Sequence, residues 1–190
     1  MSFSVPPLAA QAILLLMVII AAAYDIRYRR IPNWLTASGV LVGLDLNAFL
    51  QAPAPAVFSF GGLLFALKGF GLAFGVYFFL YMLRAMGAGD VKLMAAVGSL
   101  VGWQDWFGIF LISAFIGGIA AVILSLMRGR LKTTFWNVGF ILSEMRHGRP
   151  AYLAKEELDV RSKKGLGLPH GAVIAGGAVL FLIVGHTVLH

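Results

Sequence analysis

Two aspartates, and the glycines beside one of them, are the residues of this chain best suited to chemistry. The stretch MGAGDVKLMAAVG, Met86 to Gly98, sets Asp90 after Gly87 and Gly89 and directly before an apolar run, while Asp25 closes an earlier apolar run. Two carboxylates held close together cannot easily both ionise, so they share a proton. The ionised member then activates water as general base and the protonated member polarises a carbonyl, which is the chemistry of aspartyl proteolysis. Gly87 and Gly89 permit a second segment to approach the Asp90 turn closely. Asp90, at the start of a helix, is expected to hold the negative charge, and Asp25, at the end of one, to keep the proton.

The same letters exclude other chemistries. With no cysteine there is no disulfide framework, thiolate nucleophile, cysteine-ligated zinc or iron-sulfur cluster. The histidines are His147, His170, His186 and His190, and none forms an HExxH motif, so no metal site is expected. Gly87 to Asp90 lacks the Lys-Ser/Thr that completes a phosphate-binding loop. Ser113 has no glycine-flanked nucleophile setting and no histidine in a neighbouring central span.

The elements that position the aspartates follow from composition. The chain has 190 residues, 60% hydrophobic and 12% charged, with a mean hydropathy of +0.89. That leaves too little polar surface for a water-soluble globule, so we expect an all-α, polytopic membrane protein forming a single domain over residues 1–190. About six transmembrane helices are expected, near Leu8 to Tyr24, Trp34 to Leu50, Gly61 to Leu83, Val91 to Val101, Phe107 to Met127 and Gly171 to Leu189. The first resembles a signal peptide in hydropathy but lacks a basic leader, and is read as a retained span. The fourth is short, which implies polar backbone at membrane depth beside protein or a water-filled cavity.

Charge orients these spans. Arg27, Arg29 and Arg30, then Arg84 and Lys92, then the basic residues from Arg128 to Lys164 alternate with connections around 51–59 and 102–106 that hold no Lys or Arg. The positive-inside rule therefore places both termini outside, and Asp25 and Asp90 at one depth on the cytoplasmic side. Lys68 breaks the pattern and is read as snorkelling or as lying before the third span. Asp45 is read as structural, Asp105 as an ordinary residue of a short outer loop, and Trp103 and Trp106 as an outer aromatic belt. Residues 128–169 form a basic cytoplasmic loop, with an amphipathic helix expected over Lys132 to Met145 against anionic lipid headgroups. The pI of 10.1 reflects this topology, and no nucleic-acid partner is expected.

Three stretches carry a family resemblance. AAYDIRYRRIPNWLT, Ala22 to Thr36, resembles the first-aspartate region of type IV prepilin peptidases; MGAGDVKL, Met86 to Leu93, resembles their GxGD region; and LPHGAVIAGG, Leu168 to Gly177, is similar to the start of their last span. The resemblance implies that Asp25 and Asp90 are the catalytic pair and that a prepilin is cut at the inner membrane face. It also implies an active-site turn of Gly87, Gly89 and Lys92, a cleft lined by Pro32, Asn33, Pro169 and Gly171, and no cofactor. His170 stands where relatives often have an aromatic residue. Longer members methylate the pilin through an inserted domain, often with CxxC pairs; here there are no cysteines and few residues between Asp25 and the second span, so no methyltransferase activity is expected. The short form resembles the peptidases of tight-adherence (Flp-type) pilus systems, with the assembly machinery as a further partner and the bacterial inner membrane as location. The alternative is a non-enzymatic transporter or pilus-assembly scaffold in which Asp25 and Asp90 form an ion or proton site.

Overall fold

The computed structural model describes residues 7–50, 58–129 and 168–188, together with positions 132, 136, 137, 139, 140 and 143. The secondary structure among them is helical: α1 (Leu8–Tyr28), α2 (Asn33–Leu50), α3 (Phe60–Met82), α4 (Ala88–Met127) and α5 (His170–Val188). Three of these, α1, α3 and α4, are long and apolar enough to cross a bilayer, and α5 contributes a shorter apolar stretch, His170–Gly185. Large apolar side chains such as Leu16, Ile19, Phe79 and Phe115 point outward, as hydrocarbon surroundings allow. Most of the expected amphipathic segment from 132 to 145 lies outside the described residues; its described positions are helical.

In lipid, apolar surface alone gives helices no reason to associate, so contact rests on small residues that let backbones approach. The buried interfaces here hold Ala21, Ala48, Ala66, Ala73, Ala96 and Ala178. A close crossing joins α3 to α4: a Cβ added to Gly69 would run into the Gly98 carbonyl oxygen, and one added to Gly98 into the Gly69 carbonyl oxygen. Around this crossing α4 packs along α2 as well, where a Cβ on Gly43 would meet the Ser99 hydroxyl and backbone.

Helix α4 is two helices joined at one residue. Gly102 has φ 78° and ψ 175°, a conformation that L side chains rarely adopt, and the Phe65 ring occupies the space where its Cβ would be. Before the break, Gly98 faces Gly69 and Ala73 of α3; after it, Trp106 and Phe110 meet Tyr77, with ring centroids 6.4 and 5.9 Å away. The chain thus travels one way along α3, reverses at Gly102, and comes back. Its returning half then packs on α5, with Gly117 against Val173 and Ser113 against Gly177. The expected short loop at 102–106 is this single-residue break. Asp105 is consequently helical and buried, 3% exposed, instead of lying in an open loop.

The break frees carbonyls that a continuous helix would satisfy. Asn47 of α2 supplies the missing donor: its Nδ2 donates to the Ser99 and Leu100 carbonyls at 2.9 and 3.1 Å, as well as to Gly43 in its own helix at 2.9 Å. Asn47 is buried, whereas Asp45 and Lys68 are exposed. Ser59 caps α3 by accepting the Gly62 N–H at 3.1 Å, and its own N–H donates to Ala48 at 2.7 Å, closing the α2–α3 connection.

Two substitutions test this packing. Gly69→Val drives a side chain into the α4 backbone and should lower the thermal unfolding midpoint in detergent by the equivalent of ~3 kcal/mol or more, while Gly71→Val, in open space on the same helix, should leave it nearly unchanged. Asn47→Leu strands buried carbonyls and should cost about 2 kcal/mol in the same assay.

Candidate active site

Asp25 lies in the last turn of α1. The helix ends when Arg29 turns left-handed, at φ 54°, and its N–H donates to the Asp25 carbonyl at 2.9 Å. Residues 29–32 then bring the chain to α2, where Pro32 biases Ile31 toward extended backbone. The Asp25 carboxylate points inward and is 9% exposed. Its Oδ2 accepts a 2.8 Å hydrogen bond from the Gly171 N–H, in the first turn of α5. The amides of a first helical turn have no partner within their own helix, and here one of them receives a carboxylate from the opposite end of the sequence. Only glycine fits there easily: a Cβ at 171 would stand 3.0 Å from the Asp25 Cβ and 3.1 Å from its Oδ2.

Asp90 lies in the first turn of α4 and is 8% exposed. Its Oδ2 accepts the Gly87 N–H at 3.1 Å, as the acidic partner of a capping box does. Gly87 has an ordinary extended backbone; what limits its size is Asp90, whose Oδ2 would be 3.3 Å from a Cβ there. Gly89 answers to a different neighbour, since its Cβ would come within 3.3 Å of Ile31. The α1–α2 connection therefore packs directly on the Asp90 turn. On the exposed side, Lys92 Nζ donates to Asn33 Oδ1 at 2.9 Å and joins α4 to the start of α2.

The two carboxylates come to the same end of the bundle, Asp25 at the start of α5 and Asp90 in the turn on which Ile31 packs. Pro169 and Pro32 stand at the starts of α5 and α2, where their carbonyls accept the Val173 and Thr36 N–H groups at 3.3 and 3.4 Å. Arg27 Nε donates to the Tyr28 hydroxyl at 3.2 Å, and its guanidinium lies 5.6 Å from the centroid of that ring. The expected electrostatic asymmetry is also revised. Asp25 ends one helix but sits at the start of another, so each aspartate has a helix N-terminal amide and the helix dipole no longer separates their roles.

Sequence reasoning did not find Tyr77. It is buried in the middle of α3, 2% exposed, among the aromatic rings of Trp106 and Phe110, and only the reversal at Gly102 brings these together. Among the described residues no three His, Asp or Glu side chains converge in a metal-ligating group.

Residues 12–122 match the Type IV leader peptidase family, a segment that contains both aspartates. The chain is similar to the prepilin leader peptidase/N-methyltransferase of Escherichia coli (strain K12), with 32% identity over 123 residues, covering 62% of this chain and 52% of the relative. The protein of the same name from Klebsiella pneumoniae is 35% identical over 103 residues, 52% of this chain and 42% of the relative. That from Legionella pneumophila is 30% identical over 127 residues, 65% and 43% respectively. The chain thus spans about half the length of these curated relatives or less. No solved structure matches it.

The Asp25 bond to Gly171 is testable through stability. Asp25→Ala leaves a buried N–H without an acceptor and should cost about 2 kcal/mol, read as a lower unfolding midpoint in detergent; Asp25→Asn retains a carbonyl oxygen to accept that bond and should cost clearly less.

Proposed function

Because the chain belongs to the Type IV leader peptidase family, we propose that it is a membrane aspartyl endopeptidase that removes the leader peptide from prepilins, with Asp25 and Asp90 as its catalytic pair. The observation that supports this reading is that both carboxylates are buried and each is held through Oδ2 by a backbone N–H, Gly171 for Asp25 and Gly87 for Asp90. That arrangement leaves Oδ1 of each for the reacting water and the shared proton.

The chemistry follows from one negative charge and one proton on the pair. The ionised carboxylate takes a proton from water as its oxygen bonds to the scissile carbonyl carbon, and the protonated carboxyl donates to the carbonyl oxygen. The tetrahedral diol collapses when the C–N bond breaks, the nitrogen receiving the proton held by the first carboxyl while one diol O–H returns its proton to the second. The products are a leader peptide with a new carboxylate and a pilin with a new amino terminus. Lys92 and Asn33 hold the start of α2 against the Asp90 turn, while Pro32, Pro169 and Gly171 shape the mouth of the cleft.

In the finer reading the two halves of α4 count as separate spans, giving six with both termini outside and the pair at the cytoplasmic face. The scissile bond of a membrane-inserted prepilin would be presented at that depth. We assign this chain the peptidase half of its relatives' two-part name. It has no cysteine, and only residues 29–32 separate α1 from α2, which leaves no room there for an inserted domain. The direct connection from α1 to α2, without an inserted domain, favours an Flp-type pilin as substrate, with anionic lipids around the basic segment 128–169 and the pilus assembly machinery as onward partner.

Cleavage of a candidate prepilin in membranes co-expressing the two proteins tests the reading. Asp25→Asn and Asp90→Asn should each reduce leader removal by ~10²-fold or more at normal protein levels. Cleavage retained by either variant removes the paired-carboxylate mechanism.

A further inference from the structure

The hydrogen bonds that hold the two aspartates do not tie one aspartate's helix to the other's: Gly171 joins Asp25 to α5, and Gly87 holds Asp90 within its own turn. A different set of contacts makes that connection. The segment 29–32 leaves α1 from Asp25 itself, since the Arg29 N–H donates to the Asp25 carbonyl at 2.9 Å and Arg29 turns left-handed, at φ 54°. Two residues on, Ile31 lies against Gly89, where an added Cβ would come 3.3 Å from the Ile31 Cβ. Two residues further, Asn33 Oδ1 accepts from Lys92 Nζ at 2.9 Å. Gly89 and Lys92 flank Asp90 within one turn of α4, so a strap that begins at one aspartate is fastened on both sides of the other.

An ammonium donates and does not accept, so Asn33 presents its oxygen and the bond has one sense. That partner is an uncharged amide, although Asp90 is two positions from Lys92 in the chain. Both side chains are exposed, so the bond buries nothing; what it fixes is position. We propose that Lys92 and Asn33 are positioning residues for the aspartate pair: their bond fastens the strap after Asp25 to the turn of Asp90 and so sets how the two carboxyl groups stand to each other. Neither touches a reacting atom. A shift of ~1 Å in a reacting group can cost ~10²-fold in rate, so an exposed bond can govern turnover while adding little to the fold. The catalytic consequence rests on the peptidase reading, whereas the fastening of the strap does not.

Two measurements on the full-length protein in nanodiscs keep those parts apart. The first needs no substrate: backbone amide exchange is followed by mass spectrometry in peptides that include residues 29–33. Lys92→Met and Asn33→Leu should each speed it, and Asn33→Asp, which keeps an oxygen for Lys92, should not. Unchanged exchange in the first two overturns the proposal whatever the enzyme does. The second is prepilin cleavage. Lys92→Met and Asn33→Leu should each lower kcat by ~10-fold or more with KM within ~3-fold of wild type, and the double variant should lose no more than either alone. Asn33→Asp should stay near wild type. Because the chain has no cysteine, Asn33→Cys with Lys92→Cys supplies a single pair of thiols; closing it with a short reducible bis-methanethiosulfonate should restore kcat, and reduction should remove it again. If Lys92→Met loses activity and Asn33→Leu does not, Lys92 acts through its charge and the proposal falls. A cross-linked protein that stays inactive also overturns it, since the contact must then open for substrate. If wild type cleaves no prepilin, the peptidase reading fails and amide exchange alone decides whether the strap is fastened here.

Discussion

A carboxylate stays inside an apolar bundle only where something donates a hydrogen bond to it, and for Asp25 that donor is the Gly171 N–H. The requirement reaches far beyond the pair of atoms. It obliges the end of the first helix to meet the start of the last, across 146 positions of sequence, with glycine at the contact so that the two backbones can come close enough. Asp90 meets the same requirement locally, by turning back on the Gly87 N–H. Two buried carboxyl groups are thus each served by a backbone N–H at a helix start.

The reversal at Gly102 makes that arrangement possible. Helix α4 must begin at the site, cross the bundle, and return beside α5. A conventional loop would expose backbone polar groups at a depth where water does not satisfy them. Compressing the turn into one residue keeps nearly all of that backbone helical, and the Ser99 and Leu100 carbonyls before the break are met by a single amide, Asn47. Asn47 therefore contributes to the site without being near it, because the returning half of α4 is what backs α5 at Val173 and Gly177.

Much of this was legible in the sequence. The apolar runs located the helices, and the glycines around Asp90 announced a close neighbour, found in Ile31 packed on Gly89. What was not legible depends on tertiary geometry. Hydropathy sees the apolar pattern interrupted between Val101 and Phe107, by Gln104 and Asp105, and reads a loop, because the φ of 78° at Gly102 leaves no trace in residue type beyond glycine itself, one of 23. With the loop misread, Asp105 was placed in the open and the meeting of Tyr77 with Trp106 was invisible. The donor to Asp25 was hidden for a similar reason: position along one helix is local, but the Gly171 N–H belongs to another.

The crossing of Gly69 with Gly98 bears on how such a chain can vary over generations. At Gly39 the obstacle to a larger residue is the Met17 sulfur, the far end of a flexible side chain, and a second change at position 17 can clear it. At Gly69 the obstacle is the Gly98 carbonyl oxygen, and at Gly98 it is the Gly69 carbonyl oxygen. Main-chain atoms are common to every amino acid, so no partner mutation can move them aside. Drift at the first kind of glycine is open to paired steps, while the second kind is closed from both directions and can open only if the two helices part together.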